Sequence, residues 1–313
     1  NAIAIRIARA FTGKEKIAIC GYHGWHDWYI SINHNSGQGL DNHLLPGLEP
    51  NGVPSSLKNT VYPFSYNNFD ELENICIENQ IGVIKMEVVR NTEPENNFLK
   101  KVRELATNKG IILIFDECTS GFRETFGGIH KKYGVEPDMA MYGKALGNGY
   151  AITAVVGKRD IMNAAQKTFI SSTFWTERIG PSAALKSLEI MEKLKSWEII
   201  SEIGLKVRKG WETISKKNNL DINIEGIPAL SSYKFNSNND LYHTFITQEM
   251  LSRGFLASNR FYACISHDEK KIELYLANLD EVFFDLKKHI DSGINIESIL
   301  VSGKRHSGFK RLN

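Results

Sequence analysis

Ile111-Ile112-Leu113-Ile114-Phe115-Asp116-Glu117-Cys118-Thr119-Ser120-Gly121-Phe122-Arg123 and, further on, Met141-Tyr142-Gly143-Lys144-Ala145-Leu146-Gly147-Asn148-Gly149-Tyr150 decide how this chain is read. In each stretch a charged side chain follows a short apolar run that reads as a buried strand. An acid placed after five consecutive apolar residues is costly unless it is paired. Asp116 is therefore a capping or ion-paired residue, with Arg123 as one partner, or a group that meets a ligand. Lys144 is a surface lysine in a turn or a functional amine. Gly143, Gly147 and Gly149 around it would let backbone approach a ligand closely. Two strand-end groups of this kind lie where open α/β sheets bind ligands.

Outward from these stretches the pattern is α/β. Ile81 to Val89 reads as a strand, Phe98 to Asn108 as a helix ended by Gly110, and Ile111 to Phe115 as the next strand. That βαβ unit predicts parallel strands and a right-handed crossover. Asn1 to Ala10 reads as a helix stopped at Gly13, Lys16 to Cys20 as a strand leading into Gly21-Tyr22-His23-Gly24. Residues 31–60 read as a long irregular connection. Met139 to Tyr142 and Ala151 to Val156 add two short strands, and Ser182 to Leu194 and Glu198 to Ile214 read as helices. After about residue 220 the texture becomes α+β: strands at Ile222 to Ile227 and Ser231 to Phe235, amphipathic helices at His243 to Arg253 and Lys270 to His289. The tail from Lys304 to Asn313 is basic and reads as surface, able to dock on the body or on a partner subunit.

The chain's 313 residues suffice for one large domain and a smaller one. A net charge of +2 points neither to nucleic acid nor to an anionic membrane. No apolar run approaches the roughly 20 residues of a membrane span. Cys20, Cys76, Cys118 and Cys264 have no zinc-like or disulfide-framework spacing, which suits a reducing, cytoplasmic setting. No metal is expected. A Gly-x-Gly-x-x-Gly after a strand and a P-loop are both missing, so a nucleotide-binding protein ranks far below other readings.

A lysine amine and a carboxylate at strand ends are what pyridoxal 5'-phosphate (PLP) requires. The lysine holds the aldehyde as a Schiff base, and the carboxylate keeps the pyridine nitrogen protonated so that the ring is an electron sink. A strand-end lysine in a low-dielectric pocket would also lose its proton more readily.

With these motifs the sequence resembles the class III, fold type I, PLP-dependent aminotransferases, especially the glutamate-1-semialdehyde 2,1-aminomutase branch. The matching pieces are Ile3 to Gly13, Gly21-Tyr22-His23-Gly24, Asp116 to Arg123, Tyr142 to Gly149 and Thr247 to Gly254. The resemblance implies a mostly parallel central sheet flanked by helices in a PLP-binding large domain, 1–195, and a smaller C-terminal α+β domain, 196–313. It implies an enzyme, transaminase or isomerase-type mutase, acting on a small-molecule amino donor and an oxo acceptor. It also implies a homodimer with its active site at the interface.

Carried over by residue, Lys144 would bear the cofactor and shuttle the substrate proton, and Asp116 would pair with the pyridinium nitrogen. Tyr22 would stack on one ring face, and Cys118 would take the place of a small aliphatic residue on the other. His23 follows Tyr22 and is equally well read as a satisfied structural histidine. Glu87 would position the cofactor's hydroxyl network; its plain alternative is a strand-end salt bridge. Thr176 would reach the cofactor phosphate of the neighbouring subunit. Ser172 and Thr173 compete for that role, and a helix N-cap is the plain reading of Thr176.

Three departures stand out. Val88 replaces a common proline, Asn148 sits in a Gly-Gly-Gly stretch, and Glu177-Arg178 replace small residues. The family's glycine/serine-rich phosphate loop belongs immediately before Asn1, so the resemblance implies an N-terminally incomplete piece with weakened cofactor binding. A competing expectation follows: a catalytically inactive truncated remnant that serves as a scaffold or subunit.

Overall fold

The computed structural model describes residues 1–36, 39–41, 43, 46–89 and 91–306. They fall into two compact units, Asn1–Leu194 and a second that opens at Lys195.

The first unit is built on a six-stranded sheet in the order β2-β1-β3-β4-β5-β6. Its strands are β1 (Lys16–Cys20), β2 (Val61–Pro63), β3 (Ile81–Glu87), β4 (Ile112–Asp116), β5 (Met139–Tyr142) and β6 (Ala154–Gly157). The first five run parallel, and β6 is an antiparallel edge. Helices α1 (Ala2–Thr12), α2 (Phe69–Glu78), α3 (Phe98–Lys109) and α4 (Ile179–Leu194) belong to the same unit. Parallel sheets are covered on both faces, which is why β3 and β4 are buried at every position. On one face Ile17, Ile19, Val83, Ile112, Ile114 and Met141 pack with Ile5 and Ala8 of α1.

Side chains alternate across a strand, so Lys85 and Glu87 of β3 and Asp116 of β4 share the face that carries Val83 and Ile114. The register fixes their neighbours: Lys85 lies opposite Ile114, and Glu87 lies opposite Asp116. An otherwise apolar layer therefore ends in three ionisable groups at the C-terminal edge of the sheet.

Helix ends follow local chemistry. Gly13 and Gly110 close α1 and α3 in the left-handed conformation, at φ 66° and 62°. Asn68 caps α2 by accepting from the Glu71 amide. Helix α2, β2 and the short helix Asn33–Ser36 lie in stretches where no regular element was expected. Helix α4 begins at Ile179 rather than at Ser182.

The second unit comprises α5 (Ser196–Lys217), the antiparallel sheet β7 (Ile222–Ile227), β8 (Leu230–Phe235) and β9 (Arg260–Tyr262), and helices α6 (Asn239–Ser252) and α7 (Glu269–Asp291). Its core is aromatic and aliphatic, with Trp211, Tyr233, Phe245, Val282 and Phe283 fully or almost fully buried. Of the basic tail, residues 304–306 are described and the remainder lies outside the described residues. Arg305 is docked, pairing with Asp240 at 2.8 Å.

Candidate active site

Asp116 is the last residue of β4 and is 3% exposed. Its Oδ2 receives Lys85 Nζ at 2.8 Å and stands 2.9 Å from His23 Nδ1. Its Oδ1 accepts the Cys118 amide at 3.2 Å, a turn closed by the aspartate on its own loop. The expected pairing with Arg123 is therefore corrected: the partners are Lys85 and His23. Arg123 Nε instead donates to the Thr119 carbonyl at 2.8 Å. The physical reason is the sheet face, because Lys85 is the cation that alternation and register bring beside Asp116.

The electrostatics follow from this geometry. Burial alone would raise the Asp116 carboxyl, but the Lys85 ammonium and the His23 ring outweigh it and hold the group well below the usual carboxylate range. The His23 ring is lowered to about 4, by burial first and by the Lys85 charge second, against the pull of Asp116 and the Cys20 carbonyl. Its Nε2 stands 3.1 Å from that carbonyl, so the ring bridges the ends of β1 and β4.

The turn before His23 is fixed by Glu87, which is buried at the end of β3 and accepts the Tyr22 amide at 3.0 Å. Gly21 is required here. Its φ is +105°, and a Cβ on it would stand 2.5 Å from Glu87 Oε2. Tyr22 is exposed, with its ring edge-on to Tyr29 at 6.3 Å.

Lys144 opens a one-turn 3₁₀ segment after β5, in the left-handed region at φ 45°. Its Nζ donates to Thr119 Oγ1 at 2.9 Å. The side chain is exposed, so the expected apolar pocket around this amine is not supplied by the described residues. Cys118 links the two halves of the site. Its amide binds Asp116, and a Cβ placed on Gly143 would lie 3.5 Å from its sulfur. Burial first, then the Asp116 charge, push its thiol up to about 12, so it is a small apolar surface rather than a nucleophile.

Thr176 ends a 3₁₀ turn, Thr173–Thr176, and is exposed. The N-cap reading of Thr176 is corrected. Glu177 caps α4, with Oε2 accepting the Gly180 amide at 3.1 Å and Oε1 the Ile179 amide. Ser172 caps the preceding turn. The described residues thus bring together Asp116, His23, Glu87, Tyr22, Cys118 and Lys144.

Lys85 and Thr119 were missed by sequence reasoning. The signal for Lys85 was present: a lone lysine inside Ile81-Gly82-Val83-Ile84-Lys85-Met86, a run apolar enough to be buried on both faces, must find a carboxylate. Thr119 carries no such signal.

The residues fit PLP. An ionised carboxylate keeps acceptor capacity on Oδ1, an exposed amine is oriented by one hydroxyl, and an aromatic and an apolar thiol belong to the same site. A mainly parallel sheet with these groups at its C-terminal edge is the architecture of fold type I PLP transferases. Solved structures share that fold. The FumI protein of Sphingopyxis sp. MTA144, in its PLP internal aldimine form, aligns over 96% of this chain and 71% of its own at TM-score 0.82 and 22% identity. An omega-transaminase from Sphaerobacter thermophilus aligns over 92% and 72% at TM-score 0.78 and 20% identity.

The aminotransferase class-III family model matches residues 1–259. The 3-aminobutyryl-CoA aminotransferase of Cloacimonas acidaminovorans is 33% identical over 301 residues, 91% of this chain and 69% of that protein. The glutamate-1-semialdehyde 2,1-aminomutase of Nitrosopumilus maritimus is 38% identical over 204 residues, 62% of this chain and 47% of its own length. The chain belongs to the class III aminotransferase family. It is a PLP-dependent enzyme of amino-group transfer, and the inactive-scaffold alternative is not favoured.

Proposed function

We propose that the enzyme carries out intermolecular transamination between a small amino donor and an oxo acceptor, with Lys144 as the amine that bears the cofactor and moves the substrate proton. The observation that carries this reading is Lys144 Nζ, exposed, hydrogen-bonded to Thr119 Oγ1 and in the same corner as the ionised Asp116. PLP supplies an electron sink when bound.

Asp116 would hold the proton of the ring nitrogen. Tyr22 and Cys118 would cover the two ring faces, His23 would fix the Asp116 carboxylate, and Glu87 would hold the turn that presents Tyr22. Lys144 Nζ would take the proton from the substrate carbon and return it, with Thr119 orienting the amine. Residues 1–195 would form the cofactor domain and 196–313 the small domain. Thr176 would serve the phosphate site of a second copy in a homodimer. The exposed Phe169, Phe174, Trp175 and Ile179 around it support that pairing. Four unpaired cysteines support a cytoplasmic setting.

The relatives divide between a two-substrate aminotransferase and a mutase. Over the same 91% of the chain the aminotransferase is 33% identical and the glutamate-1-semialdehyde 2,1-aminomutase of Sulfurisphaera tokodaii 29%, and this difference in identity favours transamination. The test is borohydride reduction of the PLP-loaded protein followed by peptide mapping. Cofactor should be fixed on Lys144, and Lys144→Ala should lose turnover by a factor of about 10³ or more. Normal rates in that variant would sink the assignment. Turnover that proceeds on a single substrate with no oxo acceptor would identify a mutase instead.

A further inference from the structure

Lys85 is fully buried, lies on the same sheet face as Asp116, and places Nζ 2.8 Å from Oδ2. A carboxylate offers about four acceptor positions. Lys85 and His23 stand at Oδ2, and the Cys118 amide stands at Oδ1. The remaining capacity is on Oδ1. Asp116 thus faces the site with its charge already shared with a fixed cation. A lone aspartate would offer a ring nitrogen its whole negative charge.

We infer that Lys85 is a positioning residue that sets the proton affinity of the cofactor ring: it holds the Asp116 carboxylate by Oδ2, leaves Oδ1 to serve the ring nitrogen, and weakens that nitrogen's hold on its proton. The inference rests on the proposed pairing of Asp116 with the ring nitrogen. The sign comes from Coulomb's law, since a buried positive charge beside the shared carboxylate opposes a second one on the ring. The other groups facing the pair do not cancel this difference. From the loop after β1 comes His23, kept uncharged by burial and by Lys85 itself. From β3 comes Glu87, opposite Asp116. Cys118 and Lys144 complete the surroundings.

The consequence is a cofactor of tempered electrophilicity. A ring nitrogen that keeps its proton strongly withdraws electrons strongly; one that shares it withdraws less.

The test is solid-state ¹⁵N NMR of ring-labelled PLP bound to the whole protein, followed against pH in wild type, Lys85→Met, Lys85→Gln and Asp116→Asn. Lys85→Met removes charge and donor, whereas Lys85→Gln keeps a donor without the charge. Both should raise the midpoint for loss of the ring proton by about one pH unit or more, a tenfold gain in proton affinity. Midpoints equal to wild type in both, with Asp116→Asn lowering it, overturn the role of Lys85 and leave that of Asp116 standing. A midpoint unmoved by Asp116→Asn overturns the pairing on which the inference rests. A second readout needs no cofactor: in the apoprotein, the His23 ring of Lys85→Met should protonate at higher pH than in wild type. An unmoved His23 shows that the Lys85 charge does not govern this cluster and overturns the inference. Should neither variant fold, a wild-type ring nitrogen that keeps its proton up to about pH 10 overturns it by itself.

Discussion

At the scale of single residues, the site is a problem of charge in a dry place. Asp116 and Lys85 are each nearly sealed from water, so neither could stand alone. Leaving one such charge unpaired costs about 3–5 kcal/mol. His23 adds a pH dependence whose sign can be worked out. Its folded value, about 4, lies below the ordinary histidine value near 6.5, so between these limits the unfolded chain binds the extra proton. Stability from this group is fully present above about pH 6.5 and is lost as pH falls toward 4, by roughly 3 kcal/mol in all. His243, also lowered to about 4, titrates in the same window, so the contribution must be isolated by difference. Denaturant titrations at pH 7 and pH 4.5 should show wild type losing more stability than His23→Gln. The opposite sign would mean a charged ring donating to both Asp116 and the Cys20 carbonyl.

At the scale of elements, what the sequence made legible was whatever repeats with a period. Apolar runs located β1, β3, β4 and β5, and helical spacing with glycine stops located α1 and α3. Elements without a clean period escaped. Helix α2 buries only Leu72 and Cys76 strongly, and β2 is a three-residue edge that only pairing with β1 reveals. The site divided in the same way. Asp116 and Lys144 announced themselves by standing at the ends of apolar runs, and Tyr22 and His23 by motif. Lys85 required the register of β3 on β4, which no single segment contains.

The loop from Glu117 to His130 shows the same dependence on long-range geometry. Glu117 is 1% exposed and accepts from the Ile129 and His130 amides at 3.1 Å each, from His130 Nδ1 at 2.8 Å and from the Ser120 hydroxyl. This knot ties down the stretch that carries Thr119, the oriented partner of Lys144. Glu117→Ala would strand several buried donors. It should lower stability by about 3–5 kcal/mol, measured by thermal or urea unfolding, and it should loosen cofactor binding in parallel.

At the scale of the molecule, the apolar side chains left on the surface have to be explained. Phe169 is 83% exposed and Phe174 76%, with Trp175 and Ile179 beside them in sequence. Arg6 Nη1 donates to the Phe169 carbonyl at 2.8 Å, which fixes part of this segment against α1. Ordered aromatic groups in water are a liability that a second copy would remove. Sedimentation equilibrium should give a dimer. Phe169→Asp with Trp175→Asp should shift it toward monomer and lower PLP affinity, because Thr176 sits in the same segment. A monomeric wild type with full cofactor affinity would count against the shared site.

The same sheet has a consequence for how the chain reaches its native state. The contacts of Asp116 span 31 residues to Lys85 and 93 to His23. No local segment can rehearse them, and parallel pairing postpones its reward until each crossover has closed. The cofactor corner is therefore among the last places to become ordered during refolding. Until then the strands that will bury Lys85 and Asp116 present apolar edges with two mismatched charges among them, a state prone to aggregate. PLP binding is therefore expected to follow closure of this corner, which refolding followed by the cofactor's absorbance beside a backbone signal would check.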